Sequence, residues 1–486
     1  MKRQSTALAI LLTVSLAALP AAFAQAATER AAARIVGEVF ANGRQLDYLH
    51  LLSDEIGSRL TGSAGARRAE EATEAEMKRL GLDNVRREPF QMASSWERGA
   101  ASAALVSHGA RPLGVASFTW TPGTDAPVEG EVVDVGAGRP EDVRRASAKV
   151  KGAVALVVPE GEDLGALIYN FYRTPVLVRE LKDAGARAVL IGSDKQHTML
   201  YTSPVDFTAS GRVAALPTLS LAREDVGALR RLMARGAAVR VRLDVRNRTG
   251  PAFESTNVVG EIRGAERPEE VVVVGAHLDS NDLGPGALDN AAGSAAVLEA
   301  ARAFKALALR PRRTIRFVLF MGEEEGMVGS LAYVRRHRDE LDNTVAALIM
   351  DIGAGRPLGW FSMGRADLDA QISELMRPLA PFGPFVVEHA AFAATDNAPF
   401  MAEGVPNLLL IQDDAAYLPV HHTAADTPDK VEPRDYAAAV AALAVTAYSI
   451  ADRPARFGRR LTPEEVRRMA DETKVGEQWR AAGIWN

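Results

Sequence analysis

The sequence predicts an α/β protein built on a mixed, largely parallel sheet and interrupted by a β-rich insertion. Three observations carry this. From Ser255 onward, strand-like runs alternate with helix-like ones, the pattern of a layered α/β domain. Those strands, VVVVGAH and TIRFVLFM among them, are nearly continuous apolar runs, as in a sheet covered on both faces. Between about 115 and 245 the texture changes to short apolar runs: VEGEVVDV, GAVALVV, AVLIG, LPTLSL and VRVRLDV.

The bulk numbers agree with a large globular chain. Its 486 residues exceed one ordinary core, so two domains or one domain with an insertion are expected. Hydrophobic residues make up 47% and charged residues 24%, and a formal net charge of -5 leaves no basic footprint for nucleic acid. There is no cysteine, which removes disulfides, thiolate catalysis and cysteine metal sites together.

Taken in order, the chain opens with MKRQSTALAILLTVSLAALPAAFAQAA. Lys2 and Arg3 precede an apolar stretch, and Ala22-Phe23-Ala24 fits a cleavage site, so residues 1–24 read as a secretory signal peptide with a mature start near Gln25. A membrane anchor is the rival reading, but the stretch is short and Pro20 interrupts it. The protein is therefore expected to be exported, periplasmic or extracellular, with no stable membrane insertion after cleavage. Next, Glu70 to Leu80 reads as a helix stopped by Gly81, and Val85 to Phe90 alternates like a strand. Within the insertion, GALIYNFYRTPVLVRELKDAGA and REDVGALRRLMARGA read as helices. After Ser255 come the strands NVVGEI, VVVVGAH, TIRFVLFM, VAALIMDIG and PNLLLIQ, with a helix from Asn290 to Leu307. Residues 455–486 form a polar tail with a docking helix expected from Thr462 to Glu472.

The chemistry lies where these strands end. VVVVGA runs into His277-Leu278-Asp279, TIRFVLFMG into Glu323-Glu324-Glu325, VAALIM into Asp351, and LLLIQ is followed by His421-His422. Asp289 precedes the helix after the first of them. In parallel sheets the ligand crevice lies at the carboxyl ends of the strands. Histidines and carboxylates without thiols suit zinc or a similar divalent ion. Five such donors point to two metals sharing a carboxylate, and Asp289 is central enough to bridge. A metal pair of this kind can activate a water and stabilise an oxyanion. Of Glu323 and Glu324, one can bind metal while the other moves the proton. Asp279 can hold the second ring nitrogen of His277. Singly, each feature has a bland reading: a surface pair, a solvated acidic face, ordinary loop histidines. Their joint placement at successive strand ends favours the metal site. His389 falls close enough in sequence to line the cleft.

The motifs IGSRLTGSAGARRAEE, GAHLDS, GALDNAAGSAAVLEAAR, FMGEEEGMVGS, MDIGAG, TDNAPFMAEGVPNLLL and HHTAADTPDKV together resemble the secreted co-catalytic di-zinc aminopeptidases, and within them the carboxypeptidase Q (plasma glutamate carboxypeptidase) branch. The resemblance covers most of the mature chain. It implies a zinc-exopeptidase three-layer sandwich and two zinc ions per chain. His277 and Asp351 would bind one, Glu324 and His422 the other, and Asp289 both. Glu323 would be general base and then acid, with Asp279 orienting His277. Asp396 matches a position near the substrate cleft, although a loop-capping role suits it equally. The inserted region resembles a protease-associated domain. The implied division is signal peptide 1–24, peptidase domain 25–114 and 248–454, insertion 115–247, and tail 455–486. The expected activity is hydrolysis of short peptides or dipeptides from the amino end, with a carboxypeptidase or dipeptidase mode as the alternative. A homodimer is compatible with this reading. Two remoter readings are a glutaminyl cyclase-like acyl transferase and a non-catalytic binding protein.

Overall fold

The computed structural model describes residues 28–161, 163–207 and 211–485, apart from the side chain of Leu164. The expected signal peptide lies outside the described residues. Two eight-stranded sheets organise the described chain. The larger contains β1 (Asp83–Met92), β2 (Phe253–Ile262), β3 (Arg267–His277), β4 (Arg313–Phe320), β5 (Thr344–Ile349), β6 (Pro357–Phe361), β7 (Val386–Glu388) and β8 (Asn407–Gln412), in the spatial order β1-β2-β4-β3-β5-β8-β6-β7. The central four, β4-β3-β5-β8, are mutually parallel, while β1, β2 and β6 join antiparallel. Every residue of β4 and β5 is buried, so these largely apolar strands face covered layers on both sides.

The helices follow from their sequences. In α1 (Ala64–Arg79) the Ser63 hydroxyl accepts the Ala66 N–H at the start. Gly81, at φ 69°, turns the chain out of it. The alanine-rich α3 (Ala292–Ala306) packs against β3, β4 and α4 (Pro433–Asp452), whose AAAVAALAV stretch is buried throughout. Small side chains let these helices sit close. Gly293 has no room for a Cβ, which would lie 2.4 Å from the carbonyl oxygen of Met350, beside Asp351. The expected helix from Asn290 begins later. Asp289 and Asn290 keep non-helical backbone angles, which frees Asp289 from the helix surface.

The chain leaves this unit and returns through a two-stranded ribbon, 95–97 paired with 248–250. Between them lies the second sheet, in the order 111–113, 101–105, 240–245, 128–136, 154–157, 188–192, 218–221, 115–117. Two of its strands precede residue 115, so the sheet draws on a longer stretch than the expected insertion. Strand alternation divides its core in two. Leu156 and Leu190 pack with Val226 and Leu229 of the helix Arg223–Ala234. Val157 and Val189 pack with Leu177 and Leu181 of α2 (Leu164–Asp183). Ile168 and Phe207 belong instead to the core of the large sheet, tying the two units together. The tail is also part of that core. Its helix Pro463–Thr473, capped by Thr462, and the helix Val475–Ala481 bury Met469 and Trp479.

Candidate metal centre

Four adjacent parallel strands deliver the site. His277 ends β3, the Glu323–Glu325 turn follows β4, Asp351 follows β5, and the His421–His422 turn lies beyond β8. All three glutamates are buried, at 6%, 2% and 0% exposure, so the acidic run is no solvated face. The His277 Nε2 lies 3.1 Å from Asp289 Oδ1 and 2.9 Å from Asp351 Oδ1. The His422 Nε2 lies 2.9 Å from Glu324 Oε2 and 3.3 Å from Asp289 Oδ2. Asp289 thus turns one oxygen to each of two donor groups. His421 also reaches Asp289 Oδ2, at 3.3 Å, and stacks on His422 with centroids 3.8 Å apart. His422 meets two of the carboxylates where His421 meets one.

Backbone and side-chain bonds hold these donors in place. The ring Nδ1 of His277 lies 3.1 Å from the Asp279 carbonyl oxygen, nearer than the Asp279 carboxylate at 3.5 Å. That carboxylate accepts the Thr61 hydroxyl at 3.0 Å and the N–H groups of Glu323 and Glu324 at 3.4 and 3.2 Å. Asp279 therefore aligns the glutamate turn as much as the imidazole. The Asn290 amide donates to Asp351 at 2.9 Å. Asp426 accepts the N–H groups of Leu288 and Asp289 at 2.7 and 3.1 Å. Thr61, Asn290 and Asp426 all lie in the sequence motifs, yet nothing in their residue type marked them as supports.

The electrostatics call for a cation. Burial pushes the Glu323 carboxyl well above its usual range, and Asp351 and Asp396 add to the effect. Burial raises Glu324 too, and lifts Asp351 to about 6. Burial opposes the His277 imidazolium, but Asp351, Asp279 and Asp289 outweigh it and hold that pKa well above the ordinary value. Crowded carboxylates in a dry site are costly without a positive partner. The residues fit such a partner. Donor atoms of His277, Asp289 and Asp351 converge within 4.8 Å, as do those of Asp289, His421 and His422. Glu323 Oε1 is buried without a hydrogen-bond partner among the described residues.

Asp396 and His389, two residues that the sequence left between cleft and scaffold, do not line the metal-site cavity. The cavity wall at 394–395 is formed by Ala394 and Thr395, while Asp396 is wholly buried behind it, where burial lifts its carboxyl to about 8. His389 is half exposed and pairs with Asp369 at 3.2 Å, away from the metal donors. The inserted unit, expected from the resemblance to sit beside the cleft, brings aromatic side chains that the sequence did not single out. Phe171 of α2 packs against both His421 and His422, and Tyr201 stacks on His422 with centroids 5.5 Å apart.

Comparison with known proteins decides the family. A sequence profile of peptidase family M28 matches residues 257–447. Carboxypeptidase Q of Bos taurus is 32% identical over 417 residues, covering 85% of this chain and 86% of that protein. The chain belongs to peptidase family M28. A Peptidase M28 precursor from Shewanella amazonensis has the same fold with a TM-score of 0.81 and 27% identity, covering 90% of this chain and all of that one. A zinc aminopeptidase from Bacillus subtilis, at 22% identity, matches the fold with a TM-score of 0.65 over 86% of this chain and 98% of its own. As an M28 member the protein is a metallo-exopeptidase of mixed α/β fold. Among its described residues no helix is long and apolar enough to cross a membrane.

Proposed function

We propose that this M28 peptidase is an exported di-zinc exopeptidase that releases the amino-terminal residue of short peptides, dipeptides included. The observation that supports it best is Asp289, whose two carboxylate oxygens face separate donor groups. In this reading His277 and Asp351 would hold one zinc and Glu324 and His422 the other, with Asp289 offering a carboxylate oxygen to each. Bound zinc supplies Lewis acidity, which polarises a peptide carbonyl and makes water acidic enough to act near neutral pH.

The chain's own groups do the rest. Glu323 lines the cavity with an unpaired buried oxygen, so it takes the proton from the attacking water and returns it to the leaving amine. A carboxyl whose pKa lies above its usual range is suited to both halves of that exchange. Asp279 keeps Glu323 and Glu324 in register through their backbone N–H groups. Phe171 and Tyr417 crowd the cavity and exclude water from the carboxylates. The inserted unit, in the role of a protease-associated domain, closes one side and denies access to the middle of a long chain.

The carboxypeptidase Q relatives, which cover most of the chain, favour a second mode, release of the carboxyl-terminal residue. For a dipeptide the two modes cut the same bond. A panel of free, N-acetylated and C-amidated dipeptides and tripeptides separates them. Acetylation abolishes turnover in the aminopeptidase mode. N-acetylated peptides cut as fast as free ones would overturn it in favour of the carboxypeptidase mode.

A further inference from the structure

Beside the metal-site cavity lies a second cavity, walled by both units. Leu167, Phe171 and His421 line both. The second contains Lys195, whose side chain is only 9% exposed. A lysine that deep needs a reason. Its ammonium donates to the Leu418 carbonyl at 2.7 Å and pairs with Asp194 at 3.0 Å. Its charge also lies 5.7 Å from the centre of the Tyr201 ring, the ring that stacks on His422. An ammonium carries three donors, and these contacts engage two. His421 also lines this cavity. Its Nε2 faces Asp289, while its Nδ1 is buried with no hydrogen-bond partner among the described residues.

We propose that Lys195 forms an anion subsite that holds a carboxylate of the peptide substrate next to the scissile bond. This rests on the exopeptidase reading above and deepens it. The inserted unit thereby becomes the part that recognises the end of the substrate, where the large sheet performs the chemistry. A substrate carboxylate joins Asp194 as a ligand of the ammonium, using its third donor. The chain terminus is the expected source. The subsite adjoins the reacting centre, and in a dipeptide the terminal carboxylate is one residue from the bond that is cut.

The rival is a purely structural tie, in which Lys195 only fastens the turn at Leu418 to the inserted unit. Four substrates of the zinc-loaded protein separate the two: Ala-Ala, Ala-Ala-amide, Ala-Glu-amide and Ala-Gln-amide. The expected result is a kcat/KM at least about tenfold higher for Ala-Ala than for its amide, the usual scale of a charge-assisted hydrogen bond. A preference for Ala-Glu-amide over Ala-Gln-amide would instead make a side-chain carboxylate the source and keep the subsite. In Lys195→Met the preference for the acid collapses to near one, and in Lys195→Arg it survives in part. A structural tie lowers all substrates together and leaves the ratio intact, which overturns the proposal. Lys195→Gln, which keeps a donor for Leu418, replaces the methionine variant if that fails to fold. Wild-type protein that treats acids and amides alike overturns the subsite but not the peptidase reading. Wild-type protein that cleaves none of the four overturns both.

Discussion

The same cavity is built by two regions in two different ways. The large sheet contributes carboxylates and imidazoles crowded at strand ends, and it spends much buried structure on fixing them. Arg59 shows the effort. Its guanidinium is fully buried and donates to five carbonyl oxygens, those of Leu52, Gly57, Leu278, Pro285 and Gly286. Burial lowers its pKa to about 10, while Asp426, Asp279, Asp289 and Glu324 act to raise it. It clamps the two loops that carry Asp279 and Asp289 and sets a positive charge beneath them. The inserted unit reaches the site through a smaller set of contacts at its rim, among them a two-bond Thr202–Asn281 pair and the Arg98–Asp282 ion pair. Thr202 donates its N–H to the His422 carbonyl at 3.1 Å, Lys195 reaches Leu418, and the Tyr172 hydroxyl donates to the Ala393 carbonyl. The difference teaches that reacting groups sit on rigid elements, while the walls that select a substrate are held by a few bonds. Changes in the first region therefore act on metal content and kcat, and changes in the second on KM and substrate choice.

The largest expected effect breaks the first region. If the di-zinc proposal holds, Asp289→Ala removes the shared carboxylate, so zinc is expected to fall from about two ions per chain to one or none, and hydrolysis to drop to background. Elemental analysis of folded protein, alongside peptide hydrolysis, checks this. Two ions retained in the variant would remove the bridging role. Next comes Glu323→Gln, with kcat lower by about 10²- to 10⁴-fold and zinc unchanged. Loss of zinc in that variant would mean that Glu323 and Glu324 have exchanged roles.

Acid acts on the same region. A proton on the metal-facing nitrogen blocks that ligand. In the metal-free site, burial works against the His422 imidazolium, but Glu324 and Asp289 outweigh it and raise the pKa to about 10. His277 is also held well above its ordinary value. At neutral pH each zinc must displace about one proton, so its apparent affinity falls by about tenfold per pH unit on acidification. Chelator competition between pH 8 and pH 6 measures the slope. A flat profile would show that the imidazoles are not ligands.

Legibility divided along the same line. The parallel strands were readable because their valine- and isoleucine-rich runs face two covered layers. That the strand-end clusters would meet was readable because a parallel topology places strand ends side by side. The helix start was not. Asp289 and Asn290 leave helical geometry where the Asn290 amide donates to the Met350 carbonyl and the Asp351 carboxylate, which no residue type announces. The supports Thr61, Asp426 and Arg59 lie within the quoted motifs, but their residue types do not say that they brace the donors. Least readable were the individual side chains that the inserted unit brings to the cavity. Phe171 and Lys195 look like any helix aromatic and loop lysine until a long-range contact places them. Sequence periodicity reports local burial, not which distant surface a residue meets.

The second region yields smaller effects that test whether it is separable. Phe171→Ala removes an aromatic wall that packs on both histidines. It is expected to raise KM by about tenfold, since roughly 1.5 kcal/mol of apolar contact is lost, while kcat and zinc hold.

The smallest expected effect is Tyr172→Phe. This side chain lies in α2, and its hydroxyl donates to the Ala393 carbonyl of the large unit. Ala393 adjoins Phe392 and Ala394, which line the metal-site cavity, so the bond fastens the inserted wall to the opposite rim. The substitution keeps the ring and removes one donor. A neutral hydrogen bond contributes about 1 kcal/mol net, which is about fivefold in an equilibrium. The unpaired Ala393 carbonyl recovers part of that if the wall moves and water reaches it. The expected outcome is a KM about three- to fivefold higher for dipeptides, with kcat and zinc content unchanged. Longer peptides gain relative to dipeptides, because a looser wall admits them. Steady-state kinetics on a di-, tri- and tetrapeptide series reads both effects. If kcat or zinc fell instead, the wall would be part of the reacting scaffold, and the contrast between the two regions would fail.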